Sequence, residues 1–267
     1  VKLLGLDTAT STAGIAIVDG DRVLGEARHD TSGRGADLLV KIDELCRAAG
    51  VAPRELDAIA IGAGPGSFTG LRIGMATAKG IAFAANRPLW AVSSLAALAA
   101  DAFEELARDP RDGRGAITGD AAGHATDQAT DHLADHLICA VLDARRGEVF
   151  AGWFRGATAL GPERVMPPAE LAAWLTAIAP GAALPGQPAP IVRFAGDAID
   201  VYREVLGPLA AEHGWLAART PSGRAVARLA LAGARADITV GGAPSYIRPS
   251  EAEVKYPDGV PGALRRR

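Results

Sequence analysis

The chain has 267 residues, 49% of them hydrophobic and 22% charged, a balance that supports a packed core and excludes a globally disordered protein. Its formal net charge of -3 supplies no overall positive field for nucleic acid, and the terminal Arg265-Arg266-Arg267 is too short to change that. Two isolated cysteines, Cys46 and Cys139, point to reduced thiols acting as small buried hydrophobes rather than to a disulfide framework.

In chain order, KLLGL (2–6), AGIAIV (13–18) and RVLGEA (22–27) are short apolar runs of strand length, and Asp19-Gly20-Asp21 between the last two is a hairpin signal. The spacing predicts a three-stranded antiparallel meander. Leu38, Leu39, Ile42, Leu45, Cys46 and Ala49 then recur at helical spacing, with Lys41, Asp43, Glu44 and Arg47 opposite, until Gly50 and Pro53 stop the helix. DAIAIG (57–62) reads as a buried strand, a Gly-rich loop and helix follow, and LWAV (89–92) is a strand before an alanine-rich helix. A meander followed by βα alternation predicts an α/β fold with a mixed sheet flanked by helices.

Residues 109–136 are rich in Asp, Gly, Thr and His and read as a flexible insertion. LICAVLD (137–143) and EVFAGWF (148–154) flank Ala144-Arg145-Arg146-Gly147 as a second hairpin, whose layout of strand, Leu-Asp, polar turn and strand repeats that of LDTATSTAGIAIV. The proline-rich stretch 180–190 is expected to be loop, 191–196 strand and 225–238 a late helix. Residues 1–105 are expected to form one domain and 106–267 a second, with the late helix packing back on the first.

Three groups of residues could carry function. Asp7 closes a strand ahead of Thr8, Thr10, Ser11 and Thr12, a set that can hold a hydrated cation and phosphate oxygens, although the same hydroxyls can serve only the backbone of the turn. GAGPGSFTGLRIGMATAKG (62–80) matches neither the P-loop nor the dinucleotide template, because Lys79 follows Ala78 and no GxGxxG can be read. Its helix has almost no polar face: Arg72 and Lys79 share one narrow stripe, while Gly70 and Gly74, a turn apart, permit close backbone approach. Either both sides are buried within one chain or one side awaits a partner. His132 and His136 have an HxxxH spacing, but a polar insertion supplies neither a third ligand nor a rigid shell. No Ser/His/Asp or Cys/His set can be assigned.

GLDTATSTAGIAIV, GAGPGSFTGLRIGMATAKG, LDARRGEVFAGWF and PSYIR (244–248), in this order, resemble the TsaB family, accessory subunits of the bacterial tRNA threonylcarbamoyladenosine machinery. The resemblance implies two ribonuclease H-like domains of the actin/hexokinase-like superfamily. It also implies a noncatalytic role: binding and activating the paralogue TsaD, which transfers threonylcarbamoyl to the adenosine beside the anticodon. TsaE would join the complex, tRNA would be met indirectly, and a homodimer in isolation stays open. The first two helices would form the partner surface, with Leu38, Leu39, Ile42, Gly70, Leu71, Arg72, Gly74, Met75, Ala78 and Lys79 as its residues. Where TsaD carries a metal-binding HxxxH, this chain has Ser94 and Leu98, so no metal, cofactor or catalytic residue is implied. Relatives commonly show His-Ser-Glu where Gly35-Ala36-Asp37 stands.

The superfamily's second phosphate hairpin would fall at Arg145-Arg146-Gly147, which lacks hydroxyls, and Gly196-Asp197-Ala198 lacks a further glycine for adenosine approach. The resemblance thus implies weak or vestigial nucleotide binding, with Asp7, Thr8, Thr10 and Ser11 as its residues. Other readings are an independent ATP-binding phosphotransferase of the same superfamily and a metallopeptidase. The opening residues lack a signal-peptide core and no apolar run approaches the roughly 18 residues of a membrane span, so the expected location is cytoplasmic, without membrane contact.

Overall fold

A computed structural model describes residues 1–31, 37–108, 136–182 and 190–248. Strands β1 (Lys2–Asp7), β2 (Thr12–Asp19) and β3 (Arg22–Asp30) form the antiparallel meander, turned between β2 and β3 by Gly20 at a φ of 57°. Only a residue without Cβ adopts that angle at little cost. Strand β4 (Ala58–Gly62) pairs in parallel with β1, and β5 (Leu89–Val92) in parallel with β4. The two-residue β11 (Ala236–Asp237) closes the edge, giving the order β11-β5-β4-β1-β2-β3.

Both faces of this sheet are covered, which is why β1 and β4 read as continuous apolar runs rather than alternating ones. Leu4, Leu6, Ile15, Ile59 and Ile61 meet helices α1 (Asp37–Ala49) and α2 (Phe68–Ala85) on one face. On the other, Leu3, Val18, Ala58 and Ala60 meet the last helix, α7 (Gly223–Leu231), through Ala225, Val226, Leu229 and Ala230. The contact is close enough that a Cβ on Gly5 would come within 2.0 Å of the Gly223 carbonyl oxygen.

Helix α3 (Ser94–Arg108) lies between the two halves of the molecule. Its Leu95, Leu98, Ala102 and Leu106 pack with Ile138, Ala140, Leu142 and Phe150 of the second sheet, while Ala97 joins the α7 side. That sheet consists of β6 (His136–Arg145), β7 (Glu148–Arg155), β8 (Thr158–Ala159), β9 (Arg164–Met166) and β10 (Ile191–Ala195), in the order β10-β6-β7-β8 with β9 also on β7. Its far face is covered by α4 (Leu171–Ala182), the short α5 (Ala198–Val201) and α6 (Arg203–His213), around Trp153, Phe194, Trp174 and Leu206. In both halves a hairpin is extended by a strand lying parallel to its first member, β4 on β1 and β10 on β6. Two mixed sheets flanked by helices give the two-part α/β architecture implied by the resemblance.

Some boundaries differ from the sequence expectation. The late helix stops at Leu231 rather than Ile238, because the chain turns at Gly233 with a φ of 89° and then pairs with β5. Helix α4 continues through Pro180 to Ala182, where a loop was expected, and residues 183–189 lie outside those described. Gly35, Ala36 and residues 109–135 also lie outside. His136 is no helical residue: it opens β6, paired with Ile191, and is buried.

Candidate functional site

The turn after β1 sits beneath the start of α2. Ser67 caps that helix, its Oγ accepting the Gly70 amide at 3.3 Å, and Asn86 ends it in the left-handed region at a φ of 52°. Three glycines of the motif face the turn. A Cβ on Gly66 would come within 2.5 Å of Ala9, one on Gly70 within 2.2 Å of the Thr8 carbonyl oxygen, and one on Gly74 within 2.1 Å of Thr8 Oγ1. Here glycine serves contact between a helix and a turn.

Asp7 is held inside. Its Oδ1 accepts the Ala9 amide at 2.8 Å and its Oδ2 the Ser94 hydroxyl at 2.7 Å, while Ser94 Oγ accepts the Gly64 amide at 3.2 Å. Burial lifts the Asp7 carboxyl to about 6, although both hydrogen bonds favour the charged form. Thr8 is buried too, and its Oγ1 has no hydrogen-bond partner among the described residues. Thr10 Oγ1 donates to the Thr12 carbonyl and accepts the Thr12 amide. Ser11 is exposed. Of the four expected nucleotide-binding residues, Asp7 is built into the core, while Thr8, Thr10 and Ser11 line a cleft, the first two buried and Ser11 exposed.

That cleft, a cavity of about 840 Å³, lies between the β1–β2 turn, the start of α2, the β6–β7 hairpin and residues 245–248, with Phe68, Arg72 and Tyr246 on its wall. The hairpin turn is left-handed at Arg145, Arg146 and Gly147. Asp143 is occupied within it: Oδ1 accepts the Arg145 amide and the Tyr202 hydroxyl, and Oδ2 pairs with the Arg145 guanidinium at 3.1 Å. Asp197 accepts the Asp143 amide at 2.9 Å and is raised by burial to about 6. A Cβ on Gly196 would meet the Val141 carbonyl at 1.9 Å, so this glycine packs against β6. Ser94 is spent on Asp7 and Leu98 is wholly buried between α3 and the second sheet. Among the described residues no group of three or more His, Cys, Asp or Glu could hold a metal ion.

The residues expected at a partner surface also separate. Leu39, Arg72 and Lys79 are exposed. Leu38, Ile42, Met75 and Ala78 lie in the core between the helices and the first sheet, Leu71 lies in the core of α3, and Gly70 and Gly74 face Thr8. In the folded chain these seven are inside, because the helical stripe that covers the sheet is the more regular apolar one. The apolar surface left outside is Leu39 and Val40 on α1, with Phe68 (40% exposed) and Phe83 (90% exposed) on α2. Val40, Phe68 and Phe83 were missed by sequence reasoning. A signal existed: Phe68, Arg72, Lys79 and Phe83, spaced four, seven and four apart, fall on one stripe of a helix.

Residues 36–112 match the family described as TsaD, tRNA N6-adenosine threonylcarbamoyltransferase. The chain is 29% identical over 262 residues to the tRNA threonylcarbamoyladenosine biosynthesis protein TsaB of Bacillus subtilis, covering 96% of this chain and 98% of the relative. It is 39% identical over 106 residues to TsaB of Haemophilus influenzae, covering 39% of this chain and 44% of that protein. A solved structure of YeaZ from Pseudomonas aeruginosa superposes with a TM-score of 0.63 at 27% identity, over 92% of this chain and 99% of the other. The resemblance to TsaB proteins thus extends along nearly the whole chain.

Proposed function

We propose that this chain, similar to TsaB over almost its full length, is a noncatalytic subunit of the tRNA threonylcarbamoyladenosine pathway that binds and activates TsaD. The observation that carries the reading is the outer side of α1 and α2. Phe83 stands 90% exposed on a helix whose only charges are Arg72 and Lys79, with Leu39 and Val40 exposed on the neighbouring helix. A surface helix of a self-sufficient monomer carries a broad polar face. The matching stretch 36–112 contains both helices, which supports pairing between two chains of like build at like elements. TsaE joins the same assembly, tRNA is met through TsaD, and a homodimer through these helices is the alternative state of the isolated chain. No helix among the described residues is long and apolar enough to cross a membrane, and we place the activity in the cytoplasm.

Reconstitution tests the reading. TsaD, TsaE and the enzyme supplying threonylcarbamoyl adenylate are combined with tRNA, with and without this chain. Modification should depend on the chain and should drop with Phe83→Asp. Equal rates in its absence would sink the proposal.

The cleft favours a second reading, an ATP-binding phosphotransferase using Thr8, Thr10 and Ser11, which line it. Against it stand Asp7 and Asp143, both committed to internal hydrogen bonds. Calorimetry with ATP and magnesium separates the two: saturable heat lost in Ser11→Ala supports the enzyme, and its absence supports the partner subunit.

A further inference from the structure

Arg72 and Lys79 have no carboxylate partner among the described residues; both instead donate to one segment near the end of the chain. The Lys79 ammonium donates to the Gly242 carbonyl, and Arg72 Nε donates to the Tyr246 hydroxyl at 3.2 Å. The segment begins at β11 on the edge of the first sheet, where the Ile238 amide donates to the Leu89 carbonyl. It then passes along α2 as a strap, with the Ser245 amide on the Ala63 carbonyl at 2.7 Å. Arg248 of the same segment donates to Glu148 of β7 at 2.9 Å. The Tyr246 ring, 43% exposed, lies 5.2 Å from that of Phe68, and the Arg72 guanidinium sits 3.9 Å above the Phe68 ring.

We infer that this strap forms part of the docking face, with Tyr246 joining Phe68 and Arg72 in one patch, and that the face receives a carboxylate-bearing protein surface. The inference rests on the reading of α2 as a partner helix given above. Two cations held by a carbonyl and a hydroxyl keep their full charge, so an acidic surface is their complement. Arg, Tyr and Phe are the residue types that anchor protein interfaces, and side chains already ordered by stacking lose less freedom on docking. A nucleic-acid backbone is the poorer match, because two cations flanked by exposed aromatic rings neutralise few phosphates.

The test is the affinity of the full-length chain for its cognate TsaD, measured by calorimetry at roughly 50 and roughly 300 mM salt, a range across which exposed charges become screened. Tyr246→Ala and Arg72→Glu should each weaken binding by about tenfold or more, the size expected for anchor residues. Tyr246→Phe, which keeps the ring and frees the guanidinium, should fall between them and the wild type. Wild-type affinity should decline with salt, and Arg72→Glu should lose most of that decline. Thermal melts establish that each variant is folded. Affinities within about twofold of wild type for both Tyr246 variants, or an affinity indifferent to salt, would overturn the inference, as would Arg72-dependent binding of free tRNA. Phe83→Asp separates the two levels: if it weakens binding while the Tyr246 variants do not, only the strap is wrong. If Phe83→Asp changes nothing either, the reading of α2 as a partner helix falls as well.

Discussion

Thr8 Oγ1 occupies the place beside α2 that only a glycine at position 74 leaves open, 2.1 Å from where a Cβ would stand. This pairing explains why the motif spaces glycines one turn apart. It also makes Gly74 a packing position, unsuited to probing a partner surface by a bulky substitution. Gly74→Ala should destabilise the folded chain by about 1–3 kcal/mol, the usual cost of overpacking. Because Thr8 Oγ1 has no hydrogen-bond partner among the described residues, its removal forfeits no bond, so Thr8→Ala in the same chain should recover part of the loss. A double-mutant cycle by urea denaturation checks this; strictly additive losses would show that the two side chains do not meet.

The exposed and buried positions of α2 make contrasting expectations. Phe83→Asp should leave stability within about 0.5 kcal/mol of wild type, since nothing packs over a ring so open to solvent. Met75→Asp should leave the chain largely unfolded, because it puts a carboxylate among the side chains under the helix. Circular dichroism melts distinguish them. A large drop for Phe83→Asp would mean that the ring is covered within the monomer.

Asp7 carries a pH dependence with a definite sign. Burial raises its carboxyl to about 6, so the folded chain holds that proton more tightly than the unfolded chain, where an aspartate titrates near about 3.9. The resulting stability is complete below about pH 4 and is lost as pH rises through about 6. Asp197, raised likewise to about 6, acts in the same direction. Asp7→Asn cannot ionise, so its stability relative to wild type should improve by about 1–3 kcal/mol between roughly pH 4 and pH 7.5. Denaturation curves at the two pH values supply the comparison, and a difference that does not change with pH would refute the assignment.

At the start of α7, Ser222 makes several bonds at once. Its Oγ accepts the Ala225 amide at 2.9 Å and donates to Asp101 at 2.6 Å, while its own amide donates to the other Asp101 oxygen at 2.7 Å. Ser222→Ala removes the helix cap and one bond to a buried carboxylate, which together should cost about 2–3 kcal/mol. The urea midpoint should fall with the slope unchanged. A shift corresponding to less than about 0.5 kcal/mol would place the anchoring of α7 elsewhere.

Local signals identified the elements well where turn chemistry and periodicity agreed. Asp19-Gly20 marks the β2–β3 hairpin, Leu38, Ile42 and Cys46 mark the covered face of α1, and the turn at Arg145-Arg146-Gly147 joins β6 to β7. The candidate site was harder to read because α2 is apolar on every side. Period alone could not tell whether Met75 or Phe83 faced the sheet, and only the fold, which brings Thr8 up to Gly74, decides it. The strap has no periodic signature at all. Its bonds to Ala63, Arg72 and Lys79 join residues more than 160 positions apart, beyond the reach of local pattern.

The seating of α7 across the first sheet bears on how the molecule is made. Until a ribosome has added the last turn of that helix at Leu231, the underside formed by Leu3, Val18, Ala58 and Ala60 lacks most of its cover. The amino-terminal half must therefore wait, sticky on one side, for a piece synthesised well after its own strands. A gene shortened to end after α3 would yield a product prone to precipitation instead of an autonomous module.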